Sequence, residues 1–136
     1  MAQTTVKLEV NGFEKREVTF VSMKFDRKTD DENKPTGVPR GGKIVVRVKA
    51  LTDTGNADLM HWAVNPEEGK KGKIIFMNPE TPTKEMKTLS FEDAYCVNYE
   101  EQWEDQIGHY EEITIACKKI EHKQGVKFEN SWQRKA

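Results

Sequence analysis

The sequence predicts a mainly β fold, an antiparallel barrel or sandwich with one short helix. Three observations predict it. Apolar residues alternate with polar ones through much of the 136 residues, the pattern of strands with one buried face. Turn-forming clusters containing Asn-Gly, Pro or Gly break that alternation at short intervals. Only the stretch around Leu59 carries apolar residues at helical spacing.

Val6, Leu8 and Val10 form the first strand, and Asn11-Gly12 marks a hairpin turn because both residues tolerate positive φ. The second strand runs from about Glu17 to Asp26. Thr19, Val21, Met23 and Phe25 share one face, while Val18 and Phe20 lie on the other. Either a bulge switches the facing or both faces are covered. Residues 27–41, RKTDDENKPTGVPRG, are charged, hold two prolines and show no period. They are expected to form a long loop, and such loops are functional or disordered.

Lys43 to Ala50 alternates cleanly, with Ile44, Val46 and Val48 inward and Val45, Arg47 and Lys49 outward. Asn56 is placed as the N-cap of the helix and Asp58 in its first turn, where a carboxylate suits the helix dipole. Leu59, Trp62 and Ala63 make its apolar stripe, and Pro66 ends it. Lys73 to Met77 is a strand, Pro79 and Pro82 punctuate the following turn, and Lys84 to Phe91 is the next strand. Tyr95, Val97, Tyr99 and Trp103 form one face of a further strand that turns at Gln106-Ile107-Gly108. Glu111 to Ile120 returns with Ile113, Ile115 and Cys117 on one face. Val126, Phe128 and Trp132 mark a last short strand or extended tail, with Trp132 placed in the core. About eight strands result, and with no repeat or linker visible, residues 1–136 read as a single domain.

Matching the apolar faces of the last long hairpin sets Tyr99 opposite Ile115 and Val97 opposite Cys117. In that register Cys96 and Cys117 face opposite sides and stay reduced. Neither cysteine has zinc or CxxC spacing.

Bulk numbers exclude several function classes. The formal net charge is −1, which gives the chain no overall attraction to nucleic acid or anionic membrane. The longest apolar runs are about four residues, against roughly 20 for a spanning helix. Met1 to Glu9 carry no apolar signal-peptide core, so the expected location on synthesis is the cytoplasm.

No chemical constellation stands out. Gly37, Gly42 and Lys43 match the spacing of a phosphate-binding loop, but Ile44 stands where Ser or Thr is needed, and a strand follows instead of a helix. His61, His109 and His122 are scattered. The acidic groups Glu92-Asp93 and Glu100, Glu101, Glu104 and Asp105 sit near strand ends and a hairpin tip, where solvated charge is ordinary. Lys70, Lys71 and Lys73 form a small basic turn around Gly72. An oligonucleotide-binding barrel would pair such a patch with Tyr95, Tyr99 or Trp103, yet the neighbouring carboxylates oppose it. No catalytic residue, cofactor or metal is assigned.

The order of features carries a resemblance. It runs through Gly42-Lys43-Ile44, the helix with Leu59 and Trp62, and Gly72-Lys73-Ile74-Ile75-Phe76. It continues through Met86-Lys87-Thr88-Leu89-Ser90-Phe91-Glu92-Asp93-Ala94-Tyr95-Cys96, then Trp103, Glu111-Glu112-Ile113-Thr114-Ile115, and finally Phe128, Asn130 and Trp132. Over nearly its whole length the chain resembles the type VI secretion tube family, Hcp or TssD, in its Bacteroidetes form. The resemblance implies an antiparallel β-barrel of two sheets with one short flanking α-helix. It also implies homo-hexameric rings that stack into a tube inside a contractile sheath. Spike, sheath and baseplate components would then be partners, effector proteins would ride in the lumen, and export would use the type VI apparatus without a signal peptide. By the same resemblance, the segment at about 27–41 makes ring and stack contacts. Its charges, Arg27, Lys28, Asp30, Asp31, Glu32, Lys34 and Arg40, suit head-to-tail contact, where electrostatics set register more than affinity. Competing readings are a monomeric ligand-binding barrel with Phe20, Tyr99 and Trp103 lining its cavity, a small barrel enzyme using the acidic residues, and a phage tail-tube-like protein.

Overall fold

The computed structural model describes residues 5–51, 56–65, 69–81 and 83–130. In chain order the elements are β1 (Val6–Val10), β2 (Arg16–Met23), β3 (Asp26–Thr29), β4 (Pro35–Arg40), β5 (Lys43–Lys49), α1 (Asp58–Val64), β6 (Lys70–Met77), β7 (Glu85–Glu104), β8 (Gly108–His122) and β9 (Lys127–Glu129). The main sheet has the order β5-β2-β1-β6-β7-β8-β9, and β5 also pairs with β8. That pairing closes six strands into a barrel, which removes the exposed edges an open sheet would carry. β3 and β4 form a separate two-stranded sheet. Every pairing is antiparallel.

Period two does what it predicts in β1, β5 and β8. Leu8 and Val10, Ile44, Val46 and Val48, and Ile113, Ile115 and Cys117 all point into one core, with Ile74, Phe91 and Ala94 from β6 and β7. Leu59 and Trp62 of α1 complete it, and Phe13 meets the Trp62 ring edge-on at 6.0 Å between centroids. Each large apolar side chain buried in this way contributes about 1.5–3 kcal/mol.

A bulge between Val18 and Phe20 switches the facing of β2, the first of the two options the sequence left open. Val18 is buried inside, Phe20 is half exposed outside, and Val21 and Met23 return to pack on the core.

Several expectations are corrected. Residues 27–41 are not a loop but mostly the β3–β4 hairpin. All ten of its strand residues are exposed, so no buried face imposed a period on the sequence. The two strands expected at 84–91 and 95–103 are one continuous strand of 20 residues. Its irregularities include Asp93, at φ 49, two register shifts against β6, and a register shift against β8 between Cys96 and Asn98. The shift changes the facing, so Ala94 and Cys96 point inward before it and Tyr99 packs on the core after it, while Val97 and Trp103 are exposed. The cysteine register moves with it. Cys117 pairs with Ala94 and Cys96 with Ile115, so both thiols face the same core, buried and free. Lys70, Lys71 and Lys73 belong to β6 and not to a turn.

The N-cap position of α1 is Ala57, which has no side chain to cap with. Asn56 acts one residue earlier, accepting the Asp58 N–H at 3.0 Å. The β1–β2 connection runs from Asn11 to Lys15, and only Gly12 takes positive φ there. The expected roles of Pro66, Pro82 and Trp132 lie outside the described residues.

β8 offers one edge to two strands in succession. Tyr110 to Ala116 pairs with β5, and Lys119 to Glu121 pairs with β9. At the handover the Cys117 N–H donates to the Gly42 carbonyl at 2.7 Å. The Asn130 side-chain amide then donates to the carbonyls of Gly41 at 3.1 Å and Cys117 at 3.0 Å. Gly42 has φ 95, and a Cβ there would lie 2.6 Å from the Asn130 amide and 2.7 Å from the Cys117 oxygen. Glycine is required on both counts.

Candidate assembly surface

The β3–β4 hairpin continues from the end of β2 and leads into β5, so it projects from one end of the barrel. Its tip is locked locally. The Asp30 carboxylate accepts the N–H groups of Glu32 and Lys34, both at 2.9 Å. The Asp30 N–H donates to the Lys34 carbonyl, and Asn33 takes the left-handed conformation at φ 65. Along the stem, Arg27 Nε donates to the Gly37 carbonyl at 2.9 Å. At the base, the Phe25 and Phe128 rings pack at a tilt of 59° with centroids 4.8 Å apart, which ties the hairpin to β9.

The predicted residues therefore share one projection. Arg27 and Lys28 lie on β3; Asp30, Asp31, Glu32 and Lys34 form the tip; Arg40 ends β4 opposite Asp26. All are exposed. No ion pair engages their side chains among the described residues. Val38 on the same hairpin is 74% exposed. An isolated two-stranded hairpin that buries nothing is marginally stable in water.

The opposite end of the barrel carries features the sequence reading missed. The guanidinium of Arg16 and the carboxylate of Glu111 form an ion pair inside the wall, each residue 3% exposed. Arg16 also donates to the Lys49 carbonyl at 2.9 Å, and the Tyr99 hydroxyl donates to Glu111 at 2.6 Å. Burial, followed by the neighbouring Glu111, raises the Tyr99 phenol well above its usual range. The signal was present: Arg16 shares parity with buried Val18, and Glu111 shares parity with Ile113 and Ile115. Beyond this pair the β7–β8 hairpin runs on past the barrel wall, with Trp103 70% exposed.

No catalytic geometry comes together at the other candidates. His61 lies on α1, His109 pairs with Glu101 at 3.1 Å, and His122 accepts the Gln124 N–H at 2.9 Å. Among the described residues, no three His, Cys, Asp or Glu side chains converge to hold a metal ion. Lys43 opens a strand, so the phosphate-loop spacing has no helix behind it. The proposed ligand cavity lined by Phe20, Tyr99 and Trp103 is contradicted. Phe20 and Trp103 are exposed, and side chains fill the barrel interior. A groove of about 520 Å³ lies instead against β1, β6 and β7, lined by residues such as Glu9, Lys73, Ser90 and Glu92.

A closed antiparallel barrel with a filled interior, one flanking helix and an exposed hairpin defines the fold class of the protein. The family comparison places it further: residues 2–133 match the family of hemolysin coregulated protein Hcp (TssD). The chain belongs to this type VI secretion tube family. The solved structure of Hcp1 from Flavobacterium johnsoniae is 30% identical, with 93% of this chain and 99% of that chain covered and a TM-score of 0.84. Hcp1 from E. coli EAEC 042 shares the fold at 14% identity, covering 97% of this chain and 100% of that chain, with a TM-score of 0.72. Hcp1 from Salmonella typhimurium shares it at 10% identity, covering 94% and 92%, with a TM-score of 0.69. No curated protein matches the sequence. Among the described residues, no helix is long and apolar enough to cross a membrane.

Proposed function

We propose that the chain is a single-domain, non-enzymatic tube subunit that assembles into hexameric rings, that the rings stack, and that the lumen carries effector proteins. The observation that supports this most is the family match across residues 2–133. The β3–β4 hairpin, with Arg27, Lys28, Asp30, Asp31, Glu32, Lys34 and Arg40, serves as an assembly contact. Its ordered tip and lack of internal burial suit an element that gains its packing from another subunit. The work done is mechanical: rings form, stack and are expelled with the spike when the sheath contracts, with no covalent chemistry.

Imaging of the purified chain by negative stain tests the ring. Particles with six-fold symmetry and a central hole are expected. A field of small compact particles at high protein concentration contradicts the proposal.

A further inference from the structure

The two ends of the barrel differ in charge. Residues 98–112, the β7–β8 tip and its base, hold six carboxylates and no lysine or arginine. Glu111 and Glu112 are neutralised by Arg16 and Arg47. Glu100 and Glu104 have no cationic partner among the described residues, and neither has Asp105. The strand register even sets like charges against each other, Glu100 opposite Glu112 and Glu101 opposite Glu111, an arrangement that destabilises a hairpin standing alone. Two large apolar side chains are exposed among these anions, Trp103 at 70% and Ile107 at 66%.

The other end has the opposite character. From Lys24 to Lys43 there are six cations against four carboxylates. Apolar surface is exposed there too, at Phe25 and Val38. The register places these ends apart: β2 and β7 run in opposite directions along the barrel, with Met23 leading to the cationic end and Ala94 leading to the anionic tip.

We propose that the β7–β8 tip of one copy, anchored by Trp103 and Ile107, docks at the base of the β3–β4 hairpin of a second copy, where Lys24 and Lys43 supply the cationic excess. This rests on the ring-and-tube reading above and names the two faces that meet when rings stack. A second copy supplies the cations the tip lacks, together with exposed Phe25 and Val38 for Trp103 and Ile107 to meet. Nucleic acid and anionic lipid would be repelled by the same carboxylates. A charge-matched contact of this kind sets orientation and weakens with salt.

Carbodiimide coupling of carboxylates to lysines tests the contact. Unlabelled and ¹⁵N-labelled full-length chains are mixed and driven to associate end to end with polyethylene glycol. Mixed-isotope links from Glu104 or Asp105 to Lys24, Lys34 or Lys43 are expected. They should be lost in the double variant Trp103→Ser, Ile107→Ser, which keeps its circular dichroism spectrum and still forms single rings. A second arm uses charge exchange. Glu104→Lys, Asp105→Lys rings should not stack on themselves but should stack on rings of Lys24→Glu, Lys43→Glu. Rings whose tip carboxylates link only to Lys15, Lys70 or Lys71, or that never stack, overturn this contact alone. A chain that stays monomeric overturns the ring reading and this contact with it.

Discussion

Gly42 stands where β5 leaves the edge of β8 and β9 takes it over. A methyl group there would collide with the Asn130 amide and the Cys117 carbonyl, at a φ that L-residues avoid. Gly42→Ala is expected to cost more than about 1 kcal/mol and to lower the melting temperature by roughly 3 °C or more, read by calorimetry. The sequence showed glycines ending a segment but not the two strands competing for one edge, because that competition exists only in three dimensions. Arg16 and Glu111 make the second residue-scale case. Arg16→Met leaves a carboxylate uncompensated inside the wall, a loss of about 3–5 kcal/mol. Adding Glu111→Leu should recover much of it, and a double-mutant cycle by urea denaturation measures the coupling. Titration gives a third. Burial raises the Cys96 thiol to about 11 and the Cys117 thiol to about 12, and Tyr99 is raised as well, by burial and then by Glu111. All three hold their protons more tightly when folded. Their contribution is therefore full below the unfolded values, about 8.5 for thiols and about 10 for the phenol, and is lost as pH rises through the folded values. The urea midpoint should fall between about pH 8 and pH 11, and both thiols should resist alkylation until the chain unfolds.

At the scale of elements, legibility followed burial. β1, β5 and β8 were readable because one face of each is in the core and the other in water. β3 and β4 were not, since both their faces meet solvent and hydropathy has nothing to alternate between. The long strand β7 was read as two for a related reason. The break falls at Asp93, at φ 49, where the register against β6 shifts between Phe91 and Ala94, and a second shift at Cys96/Asn98 moves apolar residues to the other face, so a single strict period fails along the strand. The candidate assembly residues were grouped by charge and proximity in sequence; the structure sets them on one exposed hairpin, and that shape was hidden. Deleting Lys28 to Pro39 removes an element that contributes no residue to the core cluster. The shortened chain is expected to keep its β spectrum and cooperative unfolding while losing assembly. Normal rings and stacks after this deletion would exclude the hairpin from the contact.

For the whole molecule, barrel closure and charge polarity matter most. Closure through β5 and β8 leaves few strand edges to mediate random pairing, so the proposed assembly would use the shaped projections at the two ends. The anionic tip and the two lysines at the base of the hairpin, Lys24 and Lys43, then give the proposed subunit a direction. Family membership was legible from the order of short motifs, whereas charge polarity required the strand register that puts distant segments at opposite ends. Ring assembly is tested by the native mass of the purified chain, from light scattering after size exclusion. A species near six subunits is expected, or multiples of six as ionic strength is lowered. A clean monomer at high concentration would contradict it.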